Sequence, residues 1–412
     1  MANVSSSNGL EKRPKLRFPG FEEPWATKHF FDVFSFLPNN TLSRADLLSG
    51  GDVQNIHYGD VLIKYGSIID VKYDNIPTIA LGKESKGTPY LCDGDVIIAD
   101  TAEDETVGKC CEIININDTK IESGLHTIAC RPMISFAHMF LGYYMNSHYY
   151  HNQLFPLMQG VKVLSISKSN IGKTLISAPH SRSEQKKIVD LLHLIDIRIR
   201  KQQQIIEFLK KYKRGVLRTI FNNNNTHAWE TVKLKEVACI YDGTHQTPEY
   251  TSNGVKFVSV ENIDDLLGSN KHISPDAFYR DFKVFPESGD VLMTRIGDIG
   301  RATYVNFSEK IAFYVSLALF KCRERLNGEY LRHYISTDQF QKELWERTLH
   351  IAFPKKINTG EIGECSILLP PVNGQIKIAA VCSSVDKKIQ SSEKELSLLQ
   401  FMKAGLLQQL FI

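Results

Sequence analysis

Hydrophobic positions recur with a 4-3 spacing in two long stretches of this chain. The first runs Ile188, Leu192, Ile195, Ile199, Gln202, Ile206, Leu209, Lys213, Val216 and Ile220; the second runs Ile378, Cys382, Val385, Ile389, Ser392, Leu396, Leu399, Lys403, Leu406 and Leu410. Kept over about five heptads, this spacing is a coiled-coil seam. One offset relates the two throughout, placing Gln185 on Gln375, Asp196 on Asp386, Gly215 on Gly405 and Phe221 on Phe411. Even the polar interruptions coincide, Gln202 with Ser392 and Lys213 with Lys403. At 1.5 Å per residue each helix is roughly 55 Å long, too long to be buried within one ordinary domain.

The regions before the helices echo each other more weakly. Trp25-Ala-Thr27 matches Trp229-Glu-Thr231, Gly94-Asp95-Val96 matches Gly289-Asp290-Val291, and Leu141 with Tyr144 matches Leu331 with Tyr334. The predicted order is an N-terminal extension (1–24), a globular domain (25–178), a long helix (179–221), a linker (222–228, with the polar run Asn222 to Asn225 and Thr226), a second globular domain (229–369) and a second long helix (370–412). Val96 to Ala99, Gly254 to Val260 and Ile311 to Phe320 read as strands; Ser135 to Tyr150 and Glu329 to Arg347 read as helices. The expected fold class is α+β: two mixed α/β domains separated by two long helices that pair as an antiparallel coiled coil about a pseudo-two-fold axis. Midpoints near residues 203 and 393 would bring Gln202 and Ser392 together at the dyad, as a polar layer that specifies register. Lys213 and Lys403 should reach toward solvent or partner carboxylates.

A length of 412 residues with 42% hydrophobic content supports two or three domains. The net charge of +3 excludes a polycation, so any nucleic-acid surface must be local. Residues 179–221 hold 11 basic against 4 acidic side chains and 370–412 hold 5 against 3, which leaves the globular parts net acidic. Phosphate affinity of the chain alone should therefore be modest, with partner proteins supplying much of the electrostatic attraction. The longest apolar run, Ile311 to Phe320, is about half of the ~20 residues a membrane span needs. The polar first 24 residues lack an apolar signal region, so a cytoplasmic location is expected. Eight cysteines with no C-x-x-C are expected to be reduced and mostly buried.

Catalytic signatures are missing: there is no G-x-G-x-x-G after a strand, no Walker A loop, no H-E-x-x-H and no G-x-S-x-G. No cofactor and no metal site is expected. His138, His148 and His151 lack accompanying ligands, and Gly297-Asp-Ile-Gly300 reads as a turn. Asp74, Glu84 and Lys86 have the order of a Mg²⁺-dependent nuclease, an alternative reading in which the chain cuts DNA by itself. Another alternative is a coiled-coil scaffold with no DNA role. The positive signals are polar loops whose groups suit base edges and phosphates. In the second domain these are Thr244, His245 and Gln246 on a glycine-bent loop, Arg295 and Arg301 around a glycine turn, and Lys355-Lys356. In the first they are Asn40, Ser43, Arg44, Tyr58 and Lys64.

Pro14-Lys-Leu-Arg-Phe-Pro-Gly-Phe21 ahead of Trp25, the Asp242-Gly-Thr-His-x-Thr-Pro loop, Gly-Asp-Val before a glycine turn, and a Pro followed by Gln-x-x-Ile at the opening of each long helix carry a family likeness. The chain resembles the specificity subunit of type I restriction-modification enzymes from end to end. Two details depart from the expected pattern: Gly374 precedes Gln375 where a Glu is usual, and one extra residue separates Pro179 from Gln185. The resemblance implies a non-catalytic subunit with two target-recognition domains, each reading half of an asymmetric, interrupted site on double-stranded DNA. Its implied partners are two modification (methyltransferase) subunits, which carry S-adenosylmethionine chemistry, and through them the restriction and translocation subunits.

Overall fold

The computed structural model describes residues 13–48, 50–83, 85, 87–222 and 229–412. Residues 1–12 of the extension, 223–228 of the linker, and Glu84 and Lys86 lie outside the described residues. The chain divides into two compact units, Met1–Gln202 with Glu395–Ile412, and Gln203–Lys394. The division falls inside both long helices, close to their expected midpoints.

In unit 1 the strand Ala26–His29 pairs antiparallel with Leu175–Ala178, so the first and last strands of the globular part are neighbours. The long helix Arg182–Asn222 starts a few residues later. A sheet ordered Phe34–Leu37, Thr127–Pro132, Val96–Ala99, Cys110–Ile114, Ile68–Asp70 carries the core. Its central strands are buried along their whole length because the sheet is covered on both faces. The Gly-Asp-Val motif builds the entry to one of them. Gly94 has φ +88°, Asp95 accepts from the Cys92 N–H at 2.8 Å, and the same carboxylate holds Arg131 on the neighbouring strand by two bonds of 2.7 and 2.9 Å.

Unit 2 repeats the plan. Glu230–Lys233 pairs antiparallel with Ser366–Leu369, and the helix Val372–Gln409 follows. A sheet ordered Ala238–Asp242, Leu317–Cys322, Val291–Thr294, Ala302–Tyr304 forms the core, beside a second sheet ordered His272–Ile273, Val255–Val258, Ile311–Phe313. Asp290 accepts from the Glu287 N–H at 2.8 Å and from Lys321 at 2.7 Å, the counterpart of the Asp95 arrangement.

Three predicted elements are each two. Ile311 to Phe320 turns at Tyr314 to Ser316, where the Leu317 N–H bonds to the Tyr314 carbonyl, and its halves join different sheets. Ser135 to Tyr150 contains the helices Phe140–Met145 and His148–His151, the second capped by Ser147. Glu329 to Arg347 contains Gly328–Ile335 and Asp338–Arg347, the second capped by Thr337. Hydrophobic spacing carries through both breaks, whereas a hydroxyl cap starts a new helix in each.

The seam residues of both long helices are buried or half-buried, and the pairing is antiparallel within each unit. In unit 1 Asp196 meets Lys403 at 2.6 Å and Arg198 meets Glu395 at 3.6 Å; in unit 2 Lys210 meets Glu393 at 2.8 Å and Lys213 meets Asp386 at 2.7 Å. The Asp196–Lys403 and Lys213–Asp386 pairs are the same pair under the repeat offset, with the roles of the helices exchanged. Burial works to raise the Asp386 pKa, but Arg332 and Lys213 outweigh it and hold the carboxyl below its ordinary range. The repeated glutamines anchor the helix starts. Gln185 accepts from the Ala137 N–H at 2.7 Å and donates to the Pro179 carbonyl at 2.9 Å. Gln375 accepts from the Asn327 N–H at 2.8 Å and donates to the Pro370 and Arg325 carbonyls at 2.8 and 2.9 Å.

The helix ends are interleaved. Phe411, at the end of the second helix, packs in unit 1 against Trp25, Phe140 and Tyr144, with ring centroids 6.3, 5.8 and 5.8 Å away. Phe221, at the end of the first, packs in unit 2 against Trp229, Tyr330 and Tyr334 at 6.2, 6.1 and 5.0 Å. Among the cysteines, 110, 111, 130, 365 and 382 are buried, 239 and 322 are half-buried and Cys92 is exposed; all are free thiols. Among the described residues no helix is long and apolar enough to cross a membrane.

Candidate nucleic-acid interface

Unit 2 brings its predicted loops together at one end of the main sheet. The Asp242 to Gln246 loop leaves the strand Ala238–Asp242 with Gly243 pressed on the neighbouring chain; a Cβ there would fall 2.3 Å from the Phe313 carbonyl oxygen. Thr244 shapes the turn, its hydroxyl accepting from the Gln246 N–H at 3.2 Å. His245 and Gln246 are exposed, and His245 Nε2 lies 3.0 Å from Asp242 Oδ2. Directly after the strand Val291–Thr294, Arg295 donates to the Ile357 and Val315 carbonyls at 3.0 and 2.9 Å and reaches Asp242 at 3.5 Å. Burial lowers its pKa, with Asp242 opposing. The segment Lys355–Ile357 is laced to the same strand end, the Gly297 N–H donating to the Lys355 carbonyl and the Ile357 N–H to the Arg295 carbonyl.

Arg295 is 6% exposed, so it belongs to the framework that joins these three loops and presents no guanidinium at the surface. Arg301 is exposed and paired with Asp264 and, at 3.8 Å, Asp298. Lys355 and Lys356 are exposed, with the Lys355 ammonium 4.7 Å from the Trp345 ring centroid.

In unit 1 the predicted residues are engaged more deeply in the fold. Asn40 is buried; its amide donates to Glu122 at 2.7 Å while its oxygen accepts from the Leu42 N–H. That placement leaves it no edge to offer a base. Ser43 and Asp46 close a capping box, with Ser43 Oγ 2.7 Å from Asp46 Oδ2. Arg44 makes a two-pronged bond to the buried Asp60, which raises the guanidinium pKa, yet its side chain remains largely exposed. Tyr58 stands edge-on to His126 at 5.3 Å, and His126 Nδ1 lies 3.2 Å from Asp100 Oδ1. Lys64 caps the Asn75 carbonyl and lies 5.2 Å from the Tyr65 ring centroid.

Asp74 accepts from the Asp70 N–H at 2.8 Å and closes a local turn. Its expected companions Glu84 and Lys86 lie outside the described residues. Among the described residues no group of three His, Cys, Asp or Glu side chains is arranged to hold a metal ion. Gln202 is buried and Ser392 half-buried on the helix seam.

Sequence reasoning missed two hairpins. In unit 1 the Gln159 and Ser165 backbones exchange both hydrogen bonds, leaving Gly160 to Leu164 as the tip. In unit 2 the Leu349 N–H donates to the Lys356 carbonyl at 2.8 Å, leaving His350 to Lys355 as the tip. Val161 and Val163 project from the first at 99% and 51% exposure, and Ile351 and Phe353 from the second at 100% and 103%. The available signal was an apolar pair interrupted by Gly, Pro or Lys where no element is predicted.

The frame defines a class of protein: a duplicated α+β architecture, in which two units of one plan each carry polar loops and parts of two long helices. Residues 227–400 match the model of the type I restriction modification DNA specificity domain. The specificity subunit of the type I restriction enzyme MjaVIII from Methanocaldococcus jannaschii is 25% identical over 237 residues, 52% of this chain and 55% of that subunit. The chain thus spans about half the length of this curated relative in the match. The crystal structure of the S subunit of a type I restriction-modification system from M. genitalium superposes with a TM-score of 0.60 at 14% identity, over 97% of this chain and 99% of that one. A structure concerned with complex assembly and conformational transition of the type I R-M system gives 0.57 at 18% identity, over 97% and 99%. At these identities the likeness is one of fold, and it bears out the α+β architecture. The resemblance to type I specificity subunits holds in domain model, curated relative and fold.

Proposed function

We propose that this chain is the DNA sequence-recognition subunit of a type I restriction-modification complex and performs no chemistry itself. Each unit reads one half of a bipartite site on double-stranded DNA, and the long helices set the gap between the halves. The observation that carries this reading is the duplication of one domain plan, whose second copy joins its polar loops at one sheet end, on a fold shared with specificity subunits. Arg301, Thr244, His245, Gln246, Lys355 and Lys356 are the contacts of unit 2; Ser43, Arg44, Tyr58 and Lys64 border the contact face of unit 1.

Two modification subunits dock on the helices, and the restriction and translocation subunits join through them. A duplicated surface supports two docking sites: Phe208 and Tyr212 on the first helix and Leu398 and Met402 on the second are exposed at the same repeat positions. Methyl transfer from S-adenosylmethionine belongs to those partners, so the chain needs no cofactor of its own, and it works in the cytoplasm beside the host genome.

The test is methylome sequencing of the host with and without the gene, followed by exchange of residues 25–178 for the equivalent region of a relative. The expected result is loss of one bipartite methylation motif, and after the exchange a change in one half-site alone. Simultaneous change of both half-sites, or an unaltered methylome in the deletion, refutes the reading.

A further inference from the structure

The two hairpin tips occupy equivalent places in the two units. Each follows the same pair of short helices and is tied by hydrogen bonds to the chain just beyond the Gly-Asp-Val strand. In unit 1, Leu164–Ser165 pairs with Thr101–Ala102 and the Ile166 N–H donates to the Asp100 carbonyl. In unit 2, Ile296 bridges Lys356 and the Ile357 N–H donates to the Arg295 carbonyl. After the tip each chain buries one isoleucine, Ile166 or Ile357, and enters a short helix, Lys168–Ile171 or Thr359–Gly363. The tip sequences differ, yet both hold out an apolar pair with lysine beside it: Val161-Lys162-Val163, and Ile351-Ala-Phe353 followed by Lys355 and Lys356.

We infer that these tips are apolar wedges that enter the DNA duplex and unstack or bend a base step in each half-site, a role that rests on the reading of the chain as a DNA-recognition subunit. Exposed Ile, Phe and Val side chains held out at a hairpin tip mark a contact surface. Proteins that bend DNA insert apolar side chains of this kind between base steps, beside cations that hold the backbone. A pair of side chains on a narrow hairpin suits a groove better than the broad apolar patch of a stable protein interface. The tip of unit 2 is also hydrogen-bonded into the segment that carries Arg295 and flanks the Asp242 to Gln246 loop, so it extends the same face. In unit 1 the hairpin reaches Thr101, whose neighbour Asp100 contacts His126 beside Tyr58. Backbone geometry defends the unit 1 tip: Gly160 has φ +118°, and a Cβ there would fall 1.9 Å from the Val163 carbonyl oxygen.

The experiment uses the full chain assembled with its modification subunits and a duplex bearing the host's methylated site, with 2-aminopurine placed in turn at each base step. The paired variants are Ile351→Ser with Phe353→Ser, and Val161→Ser with Val163→Ser. These side chains leave no core void, and unchanged thermal unfolding verifies the fold. Each paired variant is expected to weaken binding to the target duplex about tenfold or more, the scale of losing one specific contact. Binding to a scrambled duplex and its salt dependence should change little, because the phosphate contacts remain. The 2-aminopurine signal should disappear from one half-site with the first variant and from the other half-site with the second. Unchanged target affinity and fluorescence overturn the proposal, as does loss of modification subunits from the variant complex, which would make the tips a protein dock. If the unmodified complex fails to distinguish target from scrambled duplex, the recognition reading itself falls, and the wedges fall with it.

Discussion

Truncating the last buried ring of the chain should destabilise the unit that contains the first tryptophan. Phe411 follows the helix that begins beside the second globular part, yet its ring sits among Trp25, Phe140 and Tyr144 and is 3% exposed. Phe→Ala in such a core removes about 3–5 kcal/mol through lost burial and the cavity left behind. For a unit of this size each kcal/mol lowers the melting temperature by roughly 2–4 °C, so Phe411→Ala should lower the unit 1 transition by about 10 °C. Phe221→Ala is the reciprocal perturbation, since Phe221 packs with Trp229, Tyr330 and Tyr334. Calorimetry reads the size of each shift, and hydrogen exchange followed by mass spectrometry locates it. Phe411→Ala should deprotect peptides from Phe34–Leu37, Val96–Ala99 and Thr127–Pro132; Phe221→Ala should deprotect Val291–Thr294 and Leu317–Cys322. If Phe411→Ala instead loosened only residues 229–369, or cost less than about 1 kcal/mol, the interleaving of the helix ends would be wrong.

Gln375→Ala should cost about 3 kcal/mol in urea unfolding of unit 2, because it strands the Asn327 N–H and two carbonyls in a fully buried site, and Gln375→Glu should fare no better against those carbonyls. Glu112 accepts from the Met139 and Gly142 N–H groups in a site whose burial raises its pKa to about 7. The folded pKa lies above the unfolded one, so the native state keeps a proton that the unfolded state releases. Unit 1 should therefore lose up to about 3 kcal/mol as pH rises from roughly 4.5 to 7, and Glu112→Gln should flatten the profile of urea midpoints against pH. Inserting four residues after Gln203 and four after Glu393 should lengthen the non-specific gap in the methylated motif and leave both half-sites intact; an unchanged gap in the methylome would mean that the helices do not set it. Replacing Gln202 and Ser392 together with Leu should raise the melting temperature while loosening helix alignment, measurable as broadened distances between spin labels on the two helices.

Periodicity alone determined the two long helices, their shared phase, the strand Val96–Ala99 after the first Gly-Asp-Val turn and the duplicated plan, because each depends on spacing that neighbouring residues carry. The repeat also marked Gln185, Gln375, Asp196, Asp386, Lys213 and Lys403 as equivalent, although not what they bind. Tertiary structure decided the rest. Which unit receives Phe221 or Phe411 depends on where a helix ends after roughly 60 Å of travel, and nothing within one heptad encodes that. Asn40 and Arg295 read as surface polar groups in sequence and are buried by partners 82 and 62 positions away, Glu122 and Ile357. Ile311 to Phe320 is uniformly apolar, so only the two sheets competing for its halves reveal the turn between them. Val161, Val163, Ile351 and Phe353 look like core residues by composition. Their exposure emerges only once the surrounding chain has closed beneath them, because burial is a property of the packed fold and hydrophobicity a property of the side chain.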